Sequence, residues 1–284
     1  MPITALNVSF TYMKKTPYEK KALDGITLTV NDGEIFGIIG STGSGKSTFV
    51  QHLNGLIKAE SGKIEVFDID LSAKKPDYKR LRQTVGMVFQ YPEYQLFEET
   101  VEKDVAFGPA NQGLTGEELT ACVKKAIEDV GLNYEAVKNA SPFELSGGQK
   151  RRVALAGILA MKPKILILDE PTAGLDPVGK EEILNLIRRL HGPVIETVII
   201  ISHDMDEISD IADRIAVFHN SHLIYVEEPY KLFAHAEELK SIGLDVPCVV
   251  EIKNMLKNNG IDIPDQIIKP DDFAAYVKEL YNKR

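Results

Sequence analysis

Short apolar runs that end in polar residues mark three buried strands along the chain. Ile35–Ile39 leads into a glycine-rich loop, Ile165–Leu168 leads into an acidic pair, and Val198–Ile201 leads into Ser202 and His203. Continuously apolar runs are typical of parallel strands that are buried on both faces. Because ligands in open α/β sheets bind beyond the carboxyl ends of the strands, these polar residues predict one ligand site at that edge.

Helical spacing replaces the strand signal in the middle of the chain. It dominates in 116–130 and 148–160, which predicts a helical subdomain over about 92–160. After about Pro229 no further apolar strand run is found, and turn residues divide the remaining segment. We therefore predict an α/β domain over residues 1–230 with a mainly parallel sheet, followed by a small helical extension over 231–284.

Composition and charge narrow the class of protein. The chain has 284 residues, 44% of them hydrophobic, and a formal net charge of −9. We expect a globular protein that does not bind nucleic acid as its main role. No apolar run approaches the roughly 20 residues that span a bilayer, and no secretory signal is recognisable, so a cytoplasmic site of action is expected. Cys122 and Cys248 lie far apart, without metal-ligand spacing.

A phosphate-binding loop follows the first of the three strands. The segment fits the pattern G-x-x-x-x-G-K-[ST] between a buried strand and a helical stretch. Its glycines let consecutive backbone N–H groups point at phosphate oxygens, and the following helix adds the positive end of its dipole. We expect Lys46 to reach the β- and γ-phosphates and Ser47 to bind Mg²⁺. The predicted nucleotide-binding residues of this loop are Gly40, Ser41, Thr42, Gly43, Ser44, Gly45, Lys46, Ser47 and Thr48.

The acidic pair after the second strand supplies two further functions that a phosphate-loop enzyme needs. We predict that Asp169 binds the metal and that Glu170 is the general base for the attacking water. His203, after the third strand, is predicted to contact the γ-phosphate or that water. The loop and the pair alone would also fit GTPases, kinases and motor ATPases.

A second anion site comes from Leu145, Ser146, Gly147, Gly148 and Gln149, where small residues open a predicted helix. This pentapeptide resembles the signature sequence of ABC (ATP-binding cassette) ATPases. The resemblance covers roughly residues 3–230 and implies the fold of that family, including an antiparallel β portion. It also implies that the signature of one subunit closes on ATP that a second ATPase subunit holds, so that dimerisation completes each catalytic site.

Other positions match the family residue by residue. Gln90 resembles the glutamine that contacts Mg²⁺ and the attacking water, and Asp176 resembles a residue of the loop that crosses the dimer interface. Tyr12 resembles the aromatic residue that stacks on adenine, although Phe10 lies close by in sequence. Since stacking discriminates poorly among bases, the preference for ATP is implied by the resemblance alone.

The segment after Gln90 and the run Val105–Pro109 resemble the ATPases of energy-coupling-factor (ECF) importers, and specifically the second of their two paired ATPases. The resemblance implies three partners: a related ATPase, a transmembrane coupling protein and a membrane-embedded substrate-binding protein. It also implies a location at the cytoplasmic face of the cell membrane and a dimer-stabilising role for 231–284. The alternatives are a conventional ABC importer or exporter ATPase and a non-transport ABC ATPase. The last is disfavoured because only about 100 residues separate Lys46 from Ser146, with no sustained heptads.

Overall fold

The structure, a computed structural model, describes residues 2–282. Its strands are β1 (Ile3–Tyr12), β2 (Lys20–Val30), β3 (Ile35–Gly40), β4 (Ser61–Val66), β5 (Ile69–Asp70), β6 (Val85–Val88), β7 (Ile165–Asp169), β8 (Thr197–Ile201), β9 (Arg214–His219) and β10 (His222–Glu227). Its helices are α1 (Lys46–Leu53), α2 (Tyr78–Thr84), α3 (Val101–Asn111), α4 (Gly116–Asp129), α5 (Tyr134–Val137), α6 (Gly147–Leu159), α7 (Pro177–Leu190), α8 (Met205–Ile211), α9 (Pro229–Leu232), α10 (Ala236–Ser241), α11 (Cys248–Asn258) and α12 (Pro270–Asn282).

The larger sheet has the strand order β10-β9-β3-β8-β7-β6. Strands β3, β6, β7, β8 and β9 run parallel, and β10 pairs antiparallel with β9. The three apolar runs of the sequence form the adjacent strands β3, β8 and β7, which are buried throughout. The α/β class with a mainly parallel sheet is therefore confirmed, and the carboxyl ends of these strands share one edge.

Side-chain alternation along the parallel strands divides the hydrophobic interior into two cores. On β7, Leu166 and Leu168 point to the core beneath the helices of the middle region, whereas Ile165 and Ile167 point to the opposite core. Strands β3 and β8 divide their side chains in the same way. Both faces are thus covered, which explains why the runs are continuously apolar.

The smaller sheet is antiparallel and has the order β2-β1-β4-β5. Its inward side chains, such as Ile3 and Leu23, pack with Phe36 of β3 and Phe49 of α1. They belong to the core to which Ile165 points, called the second core below. The antiparallel β portion implied by the family resemblance is present. This packing brings the end of β1, where Tyr12 lies, beside the start of α1.

Helices fill the region between β6 and β7. Helix α3 packs against α4 and α6, and α4 packs against α6. Helices α4 and α6 coincide, to within one residue at each end, with the helical segments that the spacing in 116–130 and 148–160 predicts. The buried Cys122 thiol of α4 donates to the Ala160 carbonyl at the end of α6, so this cysteine has a packing role here.

Helices α9 to α12 follow β10. Leu232, Phe233 and Leu239 are buried in the core that also contains α4 and α6, so the first part of the segment after residue 230 packs on the main body. The Cys248 N–H and the Lys269 ammonium bond to Asp206 and Asp210 of α8. Helix α12 has no buried residue. Within residues 2–282, no helix has the length and apolar character required to cross a membrane.

Candidate active site

The loop after β3 wraps tightly around the start of α1. Gly40, Gly43 and Gly45 all have positive φ, and a Cβ on Gly45 would lie 2.3 Å from the Ala22 carbonyl oxygen. Only glycine fits there. The Ser44 hydroxyl is buried and has no hydrogen-bond partner among the described residues. The sequence therefore forms a compact loop at the amino end of a helix, a geometry that favours anions.

Lys46 occupies the centre of this loop. Its ammonium donates to the carbonyl oxygens of Gly40, at 2.6 Å, and Ser41, at 3.1 Å. Burial lowers its pKa, and the nearby carboxylates of Glu170 and Asp169 oppose that shift. The cation is thus held between the loop and the acidic pair, where a phosphate oxygen would be a stronger acceptor than a backbone carbonyl.

Tyr12 lines a small cavity together with the phosphate loop. The Tyr12 hydroxyl lies 3.2 Å from Thr48 Oγ1, and the cavity is shared with Gly43, Lys46 and Ser47. Phe10 instead packs edge-on against Tyr12 and His52 at the margin of the second core. Of the two aromatic residues, Tyr12 is the one that lines the cavity beside the loop.

The same cavity is lined by a lysine side chain that the sequence did not predict. Lys20, at the start of β2, lines the cavity together with Tyr12, and its Nζ is 3.2 Å from the position that a Cβ on Gly43 would occupy. No sequence motif marks Lys20, because only the pairing of β2 with β1 brings it to the loop.

Asp169 ends β7 beside the loop. Burial raises the pKa of Asp169, and its interaction with the Ser47 hydroxyl opposes that shift. The two predicted metal-binding residues of α1 and β7 are therefore neighbours. Their oxygens are the type of ligand that Mg²⁺ prefers.

Glu170 is held by the other two predicted catalytic residues. Gln90 Nε2 donates to Glu170 Oε2 at 2.8 Å, and His203 Nδ1 lies 3.5 Å from the same oxygen. Glu170 has a φ of 51°, a conformation that costs a non-glycine residue about 1–3 kcal/mol and is concentrated at functional sites. Residues from the ends of three strands thus meet at one carboxylate, as the sequence predicts for a shared sheet edge.

An ion-pair network fixes the loops that carry Glu170 and His203. Lys180 Nζ lies 2.9 Å from Asp204 and 3.0 Å from Glu207, and its pKa is raised by hydrogen bonds to these carboxylates. The Thr172 hydroxyl donates to Glu207 at 2.7 Å. These residues also escaped sequence reasoning, since their contacts join segments far apart in the chain.

The signature residues lie at the exposed amino end of α6. Ser146 Oγ accepts from the Gln149 N–H and Gln149 Oε1 accepts from the Ser146 N–H, which forms a capping box. Gly147 and Gly148 are exposed, and a Cβ added to either would have no described atom within 4 Å. The described hydrogen bonds of Ser146 and Gln149 stay within the helix start, so the predicted anion site faces outward.

Asp176 has a structural role that its sequence position did not predict. It is the N-cap of α7, and its carboxylate accepts from the Gly179 N–H at 2.9 Å. The residue is exposed, so the predicted role at a dimer interface remains a prediction alongside the cap.

The arrangement is that of a phosphate-loop ATPase cassette, and comparison with known proteins defines the family. The family profile described as ABC transporter matches residues 23–173. The chain belongs to the ABC transporter family, whose ATPase cassettes bind and hydrolyse ATP.

Relatives that match over nearly the whole chain belong to one group within this family. An energy-coupling factor transporter ATP-binding protein EcfA2 from Clostridium tetani is 47% identical over 284 residues, covering 100% of this chain and 99% of the relative. The protein of the same name from Caldanaerobacter subterraneus subsp. tengcongensis is 51% identical over 277 residues, covering 98% and 96%.

Solved structures agree with the fold. CbiO1 from Clostridium perfringens, part of the ABC transporter complex cbiONQ, is similar with a TM-score of 0.75 and 37% identity, over 89% of this chain and 98% of that one. A dimeric ATP-binding cassette, MJ0796, bound to ADP and Pi, is similar with a TM-score of 0.70 and 29% identity, over 80% and 98%. The ABC cassette fold predicted from the motifs is confirmed.

Proposed function

We propose that this chain is the ATP-hydrolysing subunit of an ECF-type importer and that it couples ATP-driven dimer closure to uptake of a vitamin or other micronutrient. The observation that carries the enzymatic part is the meeting of Gln90, His203 and Glu170 at the sheet edge beside the phosphate loop. The ECF assignment is supported by the names of relatives that are about half identical over almost the full chain.

ATP binds with its phosphates in the loop 40–48 and its base against Tyr12. Lys46 exchanges its bonds to the Gly40 and Ser41 carbonyls for bonds to the β- and γ-phosphate oxygens. The buried hydroxyl of Ser44, which has no protein partner in the described chain, supplies a further donor at the floor of the loop.

The donor set beside the loop fits Mg²⁺. The Ser47 hydroxyl and the Asp169 carboxylate are neighbours, both are oxygen ligands, and the Gln90 amide lies at the same edge. When bound, the cation neutralises charge on the phosphate chain. Its charge would also favour the ionised form of Asp169, which burial disfavours by raising the pKa of this carboxyl.

Glu170 accepts the proton of the water that attacks the γ-phosphate. Gln90 holds one carboxylate oxygen, and His203 lies beside it, where its imidazole hydrogen-bonds the γ-phosphate or the water. The strained backbone at Glu170 and the ion pairs of Lys180 keep this carboxylate aimed before ATP arrives.

A second ATPase subunit completes each site. Ser146, Gly147 and Gly148 face solvent at the start of α6, where the helix dipole and free N–H groups attract an anion. In the dimer they contact the γ-phosphate bound by the other subunit, with Asp176 at the interface. We propose that the other subunit is a related, different chain and that residues 231–284 help to hold the pair together.

The membrane components are a transmembrane coupling protein and a membrane-embedded substrate-binding protein. The coupling protein docks in the groove between α2, α3 and α6, a cavity of about 520 Å³ lined in part by Leu96, Phe97 and Phe107. ATP binding and hydrolysis close and reopen the dimer and so move the docked helices. In this proposal the chain works at the cytoplasmic face of the membrane.

The test is copurification. The tagged chain is expressed with its neighbouring genes and purified from detergent-solubilised membranes, and its partners are identified by mass spectrometry, with an untagged strain as control. A related ATPase, a multi-spanning protein and small membrane proteins support the ECF assignment. Recovery of a conventional permease moves the chain to another transporter class, and recovery of no membrane protein overturns the transport role while leaving the ATPase intact.

A further inference from the structure

Arg151, one turn into α6 from the signature residues, has a nearly buried side chain that joins three segments of the site. Its Nη1 donates to the Pro171 carbonyl at 2.9 Å and its Nη2 donates to the Ala173 carbonyl at 3.1 Å. Nη2 also lies 3.4 Å from Oε2 of Glu93. The guanidinium therefore links the signature helix, the loop after Glu170 and the 3₁₀ turn Pro92–Gln95 that follows Gln90.

Folding alone does not require an arginine at this place. Only 6% of Arg151 is exposed, and its Nε has no hydrogen-bond partner among residues 2–282. Buried ion pairs carry a desolvation cost that apolar side chains of similar volume avoid, so they are weak evidence for a stabilising role. What an arginine adds is a planar fork that fixes two acceptors in a defined geometry.

The acceptors of this fork lie in the turn that begins at Glu170. Pro171 and Ala173 follow Glu170 closely, and the Ala173 N–H donates back to the Glu170 carbonyl at 3.1 Å, which closes a turn around the strained residue. Arg151 binds the Pro171 and Ala173 carbonyls of that turn. A shift of the guanidinium would therefore rotate the turn and move the Glu170 carboxylate.

The Glu93 contact ties the same turn to the segment after Gln90. The two segments also lie close together beside this pair, since the Tyr91 ring is 3.7 Å from the position that a Cβ on Gly174 would occupy. Tyr91 has a φ of 57°, a further strained residue at this junction. The segment after Gln90 and the turn that carries Glu170 are thus connected through the Arg151–Glu93 pair and lie side by side at Tyr91 and Gly174.

We propose that Arg151 is a positioning residue for ATP hydrolysis, which sets the Glu170 turn through Pro171 and Ala173 and takes its own orientation from Glu93. The proposal rests on the proposed role of Glu170 as general base. In this proposal the rate of hydrolysis also depends on the Arg151–Glu93 pair, which contacts neither the nucleotide nor the attacking water.

The experiment measures kcat and KM for ATP in whichever membrane complex the copurification yields, together with melting temperature. The variants are Arg151→Lys, Arg151→Met, Glu93→Gln and the double variant Arg151→Lys/Glu93→Gln. Glu182→Gln is the matched control, because Glu182 pairs with Arg152, the next residue of α6, on the exposed side.

We expect Arg151→Lys and Arg151→Met to lower kcat about tenfold to hundredfold, the range that misplacement of a reacting group by about 1 Å produces, with KM changed less than about twofold. Glu93→Gln lowers kcat less, and the double variant is no slower than Arg151→Lys alone, because the two residues act in one chain of contacts. Glu182→Gln turns over ATP at the parental rate.

Three results would overturn the proposal: a parental kcat in both Arg151 variants, a loss of kcat matched by the loss of folded protein, or effects of Glu93 and Arg151 that multiply as those of independent sites do. Glu170→Gln in the same complex tests the role of Glu170 as general base separately from the role of Arg151. If that variant keeps its activity, the proposed role of Glu170 fails, whatever Arg151 does.

Discussion

Gln90 and His203 both approach one oxygen of Glu170, at 2.8 Å and 3.5 Å, although they lie 113 positions apart in the chain. Strands β6 and β8 flank β7 in the sheet, so the residues that follow them converge on the end of β7. The carboxylate is therefore held by two residues that follow closely after the strands on either side of β7.

Replacement of Glu170 by glutamine tests its role as the base. The amide has the same shape and still accepts the hydrogen bond from Gln90, but it does not take up a proton. We expect kcat to fall about 10²- to 10⁴-fold, the usual contribution of a general base, with nucleotide affinity unchanged within about twofold. Phosphate release by the assembled complex and nucleotide binding by the purified chain measure the two quantities.

The control is Glu135→Gln. This substitution neutralises an exposed glutamate that pairs with Lys138 and is not one of the site residues. It is expected to behave as the parent in both assays. Turnover by Glu170→Gln within about tenfold of the parent would show that another group accepts the proton, since general-base catalysis contributes at least about 10²-fold.

Ser146 has two roles that one pair of variants can separate. Its hydroxyl caps α6, and in the proposed dimer it also contacts ATP held by the other subunit. Ser146→Ala is expected to cost about 1 kcal/mol of stability, or roughly 2–4 °C in melting temperature. Ser146→Asp keeps the cap and the melting temperature, because aspartate is as good an N-cap as serine.

Both variants are expected to lose ATP turnover in the assembled complex, Ser146→Asp by at least about 10²-fold because its carboxylate repels the γ-phosphate. Ser146→Asp is therefore expected to lose activity without losing stability. Parental turnover in that variant would contradict the proposal that the signature completes a shared site.

The sequence predicts the parts of the site that depend on local pattern. The phosphate loop, Asp169 and Glu170 follow apolar runs directly, so their positions at a common sheet edge could be derived from strand ends alone. The limits of α4 and α6 follow from helical spacing. The contact of Tyr12 with the loop required a family resemblance, since β1 carries no signal of its own for the place where it packs.

Long-range side-chain contacts could not be predicted in this way. The Lys20 ammonium lies beside the loop only because β2 pairs with β1 in a separate antiparallel sheet, which places Lys20 opposite Tyr12. Arg151 binds carbonyls 20 and 22 residues further along, and Glu93 lies 58 residues before it. Such pairs are set by packing of the helical region against the sheet, which no periodicity encodes.

Lys20 is predicted to raise ATP affinity through its charge. Lys20→Ala is expected to increase KM for ATP about threefold to tenfold, the effect of losing one partly exposed charge–charge contact, while kcat stays at the parental value. The increase shrinks at high ionic strength because exposed charges are screened. Steady-state kinetics at two salt concentrations measure both effects.

Lys21→Ala is the matched control for Lys20→Ala. Lys21 is the next residue of β2, and its ammonium is paired with Asp24, away from the phosphate loop. We expect its KM to match that of the parent. Equal KM values for Lys20→Ala and the parent at low salt would rule out a contact between Lys20 and the nucleotide.

Asp169 is predicted to lower stability at neutral pH. Burial raises its pKa above the ordinary value of 3.8, so the folded protein disfavours the ionised form that the unfolded chain prefers. The resulting loss of stability is present at pH values above the pKa of this carboxyl in the unfolded chain. It disappears as the pH falls below that pKa. A neutral residue of the same shape therefore stabilises the bare protein at pH 7 and gives no advantage at a pH below the ordinary pKa of 3.8.

Asp169→Asn is accordingly expected to melt above the parent at neutral pH without nucleotide, and to lose Mg²⁺-dependent ATP hydrolysis. Asp68→Asn provides the contrast. The Arg80 hydrogen bond lowers the pKa of exposed Asp68, so its neutralisation should leave the melting temperature unchanged or slightly lower. Calorimetric melting at several pH values measures both. A lower melting temperature for Asp169→Asn at neutral pH would mean that the ionised carboxylate stabilises the fold, and that its contact with Ser47 outweighs the cost of burial.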